Sequence, residues 1–214
     1  MMVPDLPISP AAERNKQPIL EFLRVCLPQP ARVLEIGSGT GQHAIHFARH
    51  LSGVTWQATE MPEHLPLLAA RIEEEGQGMP APLPLDVIGS RWPEPPWDAV
   101  FTANTLHIMP WDHTPVFLRR ASSCLVDGGL VILYGPFHYG GEHTSDSNQA
   151  FSDMLTARDP SMGVRDANEV ESIANACGLD KRGDLDMPAN NRILVFEKSE
   201  ADGGGLDGFR PSDL

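Results

Sequence analysis

The sequence predicts an α/β domain in which helices cover both faces of a mostly parallel β-sheet, the doubly wound arrangement. Short apolar segments suited to strands alternate along the chain with amphipathic helical patterns, which is typical of such a sheet. The run "LVILY", Leu130–Tyr134, is apolar throughout, as expected of a central strand buried on both faces. The stretch "VLEIGSGTGQH", Val33–His43, leads from a strand through glycines into a helix, a junction suited to binding a nucleotide.

The first half of the chain opens with a well-marked helix and then alternates strands with helices. Ser9 and Pro10 suit the N-cap and the first helical position, Pro28 and Pro30 end the helix, and Pro18 is expected to kink or split it. The predicted elements are the helix Pro10–Leu27, the strand Arg32–Ile36, the helix Gly41–Leu51, the strand Val54–Thr59, the helix Pro62–Glu75 and the short strand Leu83–Leu85.

The second half of the chain continues the alternation but interrupts it once. Residues Pro136–Arg165 are polar and rich in Gly, His, Ser and Asp, and this segment is far longer than an ordinary connection. We predict one helix in it, near Ser147–Ala157, and expect the segment to form a lid over a pocket at the sheet edge. The other predicted elements are the strand Asp98–Ala103, the helix Trp111–Cys124, a turn at "LVDGG", the strand Leu130–Tyr134, the helix Ala167–Cys177 and the strand Arg192–Glu197.

Length and composition fit one domain, which we place at residues 1–198, followed by an acidic, glycine-rich tail at 199–214 that we expect to be disordered. The 214 residues are 41% hydrophobic and carry a formal net charge of -13, which disfavours nucleic acid as a partner. No apolar run approaches the roughly 18 residues that span a bilayer, and the opening residues do not resemble a signal peptide. Cys26, Cys124 and Cys177 are far apart, and we expect free thiols in a cytoplasmic protein.

The glycine turn predicts a ligand that the backbone approaches closely. Gly37, Gly39 and Gly41 leave room beside the backbone, and the helix start directs free amide groups at the ligand. The dinucleotide fingerprint is incomplete because Gln42 occupies the position of its third glycine, and no Gly-Lys-Ser/Thr follows. These departures favour a nucleoside without phosphates, S-adenosylmethionine (SAM), over a nicotinamide dinucleotide.

Further candidate cofactor ligands stand where the predicted strands end, since ligands of doubly wound sheets bind at the carboxyl ends of the strands. Glu60 is placed to accept hydrogen bonds from the ribose hydroxyls and Asp86 to meet the adenine amino group, although an acidic residue at a strand end is often only a solvated cap. Arg14 is placed either to bind the SAM carboxylate or to stay solvated. The complete predicted cofactor set is Arg14, Asn15, Glu35, Gly37, Ser38, Gly39, Gly41, Glu60, Asp86, Val87 and Asn104.

Several of these segments resemble the successive motifs of class I SAM-dependent methyltransferases, namely "VLEIGSGTG", "WDAVFTANTLH" and "LVDGGLVILYGP". Others, including "SPAAERNKQPIL", "YGPFHYGG", "SDSNQAF", "RDPSMGVRD" and "MPANNRILVF", resemble the small family that includes methyltransferase-like protein 26. The resemblance covers Ser9–Glu197. It implies the Rossmann-like methyltransferase fold, with seven strands and an antiparallel last strand, and it implies no particular substrate.

Methyl transfer from a sulfonium mainly requires alignment of the acceptor, and it requires a base only when the acceptor holds a proton. His107, in "NTLH", is the candidate base because imidazole titrates near neutrality, and Tyr134 is the candidate for orienting the acceptor. Both side chains have a purely structural alternative. Thr105 and Leu106 stand where methyltransferases of nucleic-acid bases carry a Pro-Pro-aromatic sequence, which disfavours a nucleic-acid acceptor.

A second group of residues is predicted to bind the acceptor from the lid and from the turn before the last strand. The spacing of the histidines in "FHYGGEH" matches no standard ligand set, and we predict no metal site. The turn "PANN" can instead be an Asx-type turn that caps itself. The predicted substrate-binding residues are Trp111, His138, Tyr139, Asn190 and Asn191.

Together these features predict a cytoplasmic SAM-dependent methyltransferase for a small polar, metabolite-like acceptor, bound in a pocket that the segment 136–165 closes. A catalytically silent SAM-binding sensor or scaffold is the alternative, and it would keep the glycine turn and Glu60 without an enclosed acceptor cavity. A nicotinamide-dependent oxidoreductase is disfavoured by Gln42. The acceptor atom and the oligomeric state are not predicted.

Overall fold

A computed structural model describes residues 6–89 and 91–200 of the chain. The helices are α1 (Pro10–Cys26), α2 (Gln42–His50), α3 (Leu65–Glu75), α4 (Thr114–Cys124), α5 (Asp146–Arg158) and α6 (Ala167–Ala176). The strands are β1 (Ala31–Glu35), β2 (Val54–Glu60), β3 (Leu83–Pro84), β4 (Trp97–Ala103), β5 (Leu125–Gly135), β6 (Phe137–Tyr139), β7 (Glu142–His143), β8 (Arg165–Asp166), β9 (Leu179–Met187) and β10 (Asn191–Lys198). Among the described residues, no helix is both long and apolar enough to cross a membrane.

The main sheet has seven strands in the order β3-β2-β1-β4-β5-β10-β9. Strands β1 to β5 pair in parallel, whereas β10, the last strand of the chain, is antiparallel to both β5 and β9. The predicted fold class, including the seven strands and the antiparallel last strand, is confirmed. The strand order reverses between β1 and β4, so the topological switch point lies there.

Two hydrophobic layers enclose this sheet. On one face, the side chains of α1, α2 and α3 pack around Phe47, Trp56 and Phe101, whose rings contact one another at centroid distances of 5.1–5.7 Å. On the other face, α4 and α6 pack with apolar residues of the same strands. Neighbouring residues of a strand point to opposite faces, so Leu133 joins the second layer and Tyr134 joins the first.

In the first half, the predicted element boundaries hold except for the start of α3. The Ser9 side chain caps α1 as predicted, because its Oγ accepts the Ala12 amide at 3.3 Å. The predicted break at Pro18 is absent: α1 is continuous through the proline, with Ile19, Leu20 and Leu23 buried after it. Helix α3 begins at Leu65 rather than at Pro62, because the preceding residues form a turn closed by the His64 amide on the Met61 carbonyl at 2.9 Å.

The second half contains strands that the sequence did not predict. Strand β9 reads "LDKRGDLDM" and forms one edge of the sheet, and the predicted "LVDGG" turn lies inside the longer β5. In the segment 136–165 and just beyond it, β6 pairs with β7 and β8 in a small second sheet, beside the predicted helix α5. Ser199 still contacts the Gly178 carbonyl at 3.0 Å, and the rest of the predicted tail, 201–214, lies outside the described residues.

Candidate active site at the switch point

The glycine turn between β1 and α2 has left-handed backbone angles, which glycine adopts more easily than any other residue. Gly37, Gly39 and Gly41 have φ values of +71°, +56° and +80°. A Cβ at Gly37 would lie 2.7 Å from Thr105 Oγ1 and one at Gly41 would lie 2.8 Å from Leu68 Cδ1, whereas a Cβ at Gly39 would meet no protein atom within 4 Å. Gly39 therefore faces open space, and a ligand can reach the backbone there.

Glu35 holds this turn in place through buried hydrogen bonds. Its side chain is buried, and its Oε2 accepts hydrogen bonds from Ser38 Oγ at 2.8 Å and Trp56 Nε1 at 2.9 Å. The Ser38 amide in turn donates to the Thr59 carbonyl at 2.9 Å. Burial raises the pKa of Glu35 to about 7, and the Trp56 and Ser38 hydrogen bonds oppose that rise. The structure thus uses Glu35 and the Ser38 hydroxyl, both predicted cofactor ligands, to hold the turn in shape.

Glu60, at the end of β2, contacts the turn directly. Its Oε2 accepts the Gly39 amide at 2.6 Å, and its Oε1 accepts the Met61 amide at 2.8 Å. An ionised carboxylate offers about four acceptor positions, so these bonds leave positions for ligand hydroxyls. Glu60 therefore lies where the sequence predicted it, beside the open face of Gly39.

Asp86 and Val87 follow β3 at the same edge of the sheet. Asp86 is half-buried, and its Oδ1 accepts the Ile88 amide at 2.9 Å. The Val87 side chain is buried in the hydrophobic layer of α4 and α6. Asp86 thus closes its own turn at the predicted place, whereas the Val87 side chain serves the core.

The segment after β4 borders the other side of the glycine turn. Asn104 has a φ of +60°, and its amide donates to the Tyr134 carbonyl at 2.8 Å. Hydroxyl groups of Thr102 and Thr105 donate to the Ile36 carbonyl at 2.8 and 3.3 Å. These bonds fasten the end of β4 to the end of β1, and they bring Asn104 to the switch point as predicted.

His107 is buried between the end of β5 and helix α5. A Cβ at Gly135 would lie 3.3 Å from the His107 ring, and the Phe151 ring packs edge-on at a centroid distance of 5.4 Å. Burial, reinforced by the charge of Arg165, lowers the pKa of His107 to about 3. The imidazole is therefore neutral at physiological pH, with a lone pair available on the ring.

Tyr134 does not join His107, although both were predicted to be catalytic. Its side chain packs with the layer of α1 and α2, whereas the neighbouring position, Gly135, faces His107. The Tyr134 side chain and the His107 ring, which belongs to the turn after β4, thus lie on opposite faces of the sheet. The Tyr134 hydroxyl is buried without a hydrogen-bond partner among the residues described. Burial raises its pKa, and the nearby Asn15 amide and Arg14 charge partly offset this rise.

Arg14 and Asn15 lie on the part of α1 that passes above Tyr134. Arg14 is exposed to solvent, whereas Asn15 is buried and its Oδ1 accepts a hydrogen bond from His43 Nε2 at 2.6 Å. Burial lowers the pKa of His43 to about 4, so this histidine is neutral at physiological pH. The two predicted cofactor residues of α1 therefore share one neighbourhood with the Tyr134 hydroxyl.

Trp111 and His138, predicted to bind substrate, line a groove of about 560 Å³ together with Arg165 and Asp166. Arg165 donates to the carbonyls of Leu106 at 2.9 Å and of Met109 at 2.6 Å. Arg165 therefore joins this groove to the loop after β4. The role of Trp111 and His138 in binding the acceptor stays a prediction.

The remaining lid residue, Tyr139, is held by the edge strand of the sheet. Its hydroxyl donates to the Asp184 carboxylate at 2.9 Å, and Arg192 also donates to Asp184 at 2.7 Å. His138 Nδ1 lies 3.3 Å from Asp166 Oδ2. Within residues 6–89 and 91–200, no group of His, Cys, Asp or Glu has the geometry of a metal site.

The "PANN" turn docks on the lid helix. The Asn148 side chain donates to the Asn190 carbonyl at 2.9 Å, and the Asn190 amide reaches Ser147 Oγ at 3.4 Å. The Asn191 amide donates to the Pro188 carbonyl at 3.0 Å. The structure thus uses both asparagines to close the turn and to hold α5, as the Asx-turn alternative predicts. Of the five predicted substrate-binding residues, the groove described above brings together Trp111 and His138.

One protein-family model matches most of this chain. A family model described as "Protein of unknown function (DUF938)" matches residues 6–198. The chain belongs to this family. The match covers the glycine turn, the lid segment and the last strand, so all predicted site residues of this DUF938 chain lie within the family region.

Solved structures similar to the DUF938 chain include three methyltransferases. The mitomycin 7-O-methyltransferase MmcR is 15% identical with a TM-score of 0.76, covering 88% of this chain and 54% of its own. The S-adenosylmethionine-dependent methyltransferase SibL is 19% identical with a TM-score of 0.71, covering 89% and 56%. An O-methyltransferase family 2 protein from Planctomyces limnophilus, solved with apigenin, is 16% identical with a TM-score of 0.76, covering 88% and 57%. The chain thus spans a little over half of the length of each, and the likeness shows that it shares their fold.

Proposed function

We propose that this DUF938 protein is a SAM-dependent methyltransferase that acts on a small polar acceptor. The observation that carries the proposal is the open face of Gly39, to whose amide the Glu60 carboxylate is bound at 2.6 Å. A bare backbone beside an acidic strand end at the switch point suits a nucleoside. The names of the similar structures and the motif resemblance, including that to the family of methyltransferase-like protein 26, support SAM as this nucleoside.

In this proposal the residues at the carboxyl edge of β1, β2 and β4 would hold the cofactor. The free acceptor positions of Glu60 would bind its ribose hydroxyls, and Asp86, after β3, would face its adenine. Gly37, Gly39 and Asn104 would flank its sulfonium. The Arg14 guanidinium of α1 would suit the carboxylate of its amino-acid end. When bound, SAM supplies an activated methyl group, and the residues around it only align the acceptor and exclude water.

His107 is the proposed general base. Its buried, neutral ring lies beside Gly135 under the lid helix, next to the predicted sulfonium position at Asn104. Because its pKa is about 3, the ring accepts a hydrogen bond from a protonated acceptor at every physiological pH. The low pKa makes His107 a weak base. It takes up the proton fully only from an acceptor that loses this proton as the methyl group bonds to it. The segment 136–165 covers this place as a lid, within a single domain that we expect to be cytoplasmic.

A catalytically silent SAM-binding protein is the second candidate. One observation favours it: the side chains of Tyr139, Asn190 and Asn191, predicted to bind the acceptor, already have partners within the protein. This candidate shares the cofactor site with the enzyme but lacks an enclosed acceptor cavity and turnover.

Two measurements separate these functions. Calorimetric titration with SAM, S-adenosylhomocysteine and NADH is expected to show binding of the first two only, and binding of NADH alone would contradict the cofactor. A screen for transfer of a radiolabelled methyl group to a metabolite pool is then expected to label a small molecule. Persistent absence of label from a protein that binds SAM would support the silent SAM-binding candidate.

A further inference from the structure

Gln42 has a set of contacts that its place in the glycine turn does not explain. Its buried side chain joins the starts of two helices. Its Oε1 accepts the Ser9 amide at 2.5 Å and Thr40 Oγ1 at 2.8 Å. Its Nε2 donates to Glu13 Oε1 at 2.5 Å and to the Ser9 carbonyl at 3.5 Å. One amide at the first position of α2 thus holds the N-terminal turn of α1.

The rest of α1 is held in a different way. Its C-terminal half buries Ile19, Leu20 and Leu23 in the hydrophobic layer, and burial of such side chains contributes about 1.5–3 kcal/mol each. The N-terminal half buries only Ala12 and Asn15. The position of the first turn therefore depends on polar contacts, mainly those of Gln42, and loss of Gln42 leaves the anchoring of the second half intact.

The turn that Gln42 holds carries the groups suited to the amino-acid end of SAM. Arg14 is exposed and follows Glu13, a partner of Gln42. Asn15 is fixed by His43, and below it lies the buried Tyr134 hydroxyl, which has no hydrogen-bond partner among the described residues. A buried hydroxyl without a partner is costly, and a ligand carboxylate or ammonium group beside it would supply the missing bond.

We propose that Gln42 is a positioning residue, which fixes the first turn of α1 so that Arg14 and the Tyr134 hydroxyl bind the amino-acid end of the cofactor. The inference rests on the proposed function and deepens it. It also gives a reason for the departure from the dinucleotide fingerprint, since a glycine at position 42 would leave this turn without its partner. Tyr134 is thereby a cofactor ligand rather than a residue that orients the acceptor.

The test compares two ligands that differ in the amino-acid end alone. SAM carries it, whereas 5′-methylthioadenosine keeps the adenosine and the methylated sulfur and lacks it. In calorimetric titrations of the full chain, Gln42→Ala and Tyr134→Phe are each expected to weaken SAM about tenfold, the scale of one lost hydrogen bond to a charged group. The affinity for 5′-methylthioadenosine is expected to stay within about twofold.

Two further variants separate positioning from general damage. Gln42→Glu places a carboxylate against Glu13 and is expected to weaken SAM as Gln42→Ala does, whereas Gln42→Glu combined with Glu13→Gln restores a donor and an acceptor and is expected to recover most of the affinity. Gln17→Ala, an exposed change on α1 whose amide hydrogen-bonds to Glu21, is the control and is expected to have no effect.

The outcomes distinguish this inference from the function on which it rests. Equal weakening of both ligands by Gln42→Ala, or unchanged SAM affinity, overturns the inference and leaves the cofactor assignment standing. Failure of the combined variant to recover affinity while its thermal unfolding matches that of the unaltered protein also overturns it. If the unaltered protein binds neither ligand, the proposed function fails, and the inference fails with it.

Discussion

Replacement of Gly39 by valine separates ligand binding from folding. With a φ of +56° and no protein atom within 4 Å of a Cβ, the folded chain bears only the strain of an L-residue in the left-handed region, about 1–3 kcal/mol. The adjacent glycines cannot be used in this way. A Cβ at Gly37 or Gly41 would also collide with Thr105 or Leu68, at 2.7 and 2.8 Å, and the turn itself would shift.

The same substitution places three carbon atoms in the space that we assign to the sulfonium and methionine chain of SAM. Excess bulk in a packed site costs about 1–3 kcal/mol, which corresponds to roughly a 5- to 150-fold loss of affinity. We therefore expect Gly39→Val to weaken SAM binding to this extent. The free energy of unfolding should fall by no more than the backbone strain.

Gly140→Val is the matched control for this prediction. Gly140 lies between β6 and β7, has a φ of +59° and likewise has no atom within 4 Å of a Cβ. The two variants are expected to lose similar free energy of unfolding, measured by chemical denaturation, and only Gly39→Val is expected to lose SAM in calorimetric titration. Unchanged SAM affinity in Gly39→Val, or an equal loss in Gly140→Val, would refute the argument that the open face of the turn is the site.

Three further predictions concern the buried titratable groups. His107→Ala should slow turnover about 10²- to 10⁴-fold, the usual range for a lost general base, and should leave the Kd for SAM within twofold of its original value. Unchanged steady-state turnover at saturating SAM would refute the role of His107 as the base. Because the pKa of His107 is about 3, kcat should not fall near pH 6.5 through protonation of His107. A fall in kcat near that pH that disappears in His107→Ala would contradict the argument that burial keeps the ring neutral. Glu35 is protonated in the folded chain below its raised pKa of about 7 and ionises near 4.5 when unfolded, so its contribution to stability is complete below pH 4.5 and is lost as the pH rises to 7. Glu35→Gln should remove this pH dependence of the free energy of unfolding, about 3 kcal/mol in magnitude. Denaturation of both proteins at pH 5 and pH 8 measures it, and an equal change in the free energy of unfolding between the two pH values in both proteins would contradict the prediction.

The sequence predicts the central architecture because that information is local. Apolar strands such as Leu130–Tyr134 are recognisable from consecutive residues, and so is the glycine turn with its following helix. Strand β9 is not predicted because it lacks an apolar run: an edge strand pairs with only one neighbour and carries charges at its exposed positions. The small sheet of β6, β7 and β8 is not predicted because strands of two or three residues are too short to show an alternation of apolar and polar residues.

The candidate site likewise has residues that the sequence predicts and contacts that it does not predict. Glu60 and Asn104 are predictable because each directly follows a predicted strand, and Gly39 because it lies in the turn after one; parallel strands bring those ends together. The contacts of Gln42 join residues up to 33 positions apart, and no local pattern indicates them. The face on which Tyr134 leaves the sheet depends on the register of β5, and a shift of one residue reverses it.

A crystal structure of the full chain grown with S-adenosylhomocysteine tests the central claim most directly. We expect the nucleoside beside the glycine turn, with both ribose hydroxyls within hydrogen-bonding distance of the Glu60 carboxylate and the thioether next to Gly39. A ligand bound elsewhere, or a turn that stays unliganded at saturating concentration, would contradict the account.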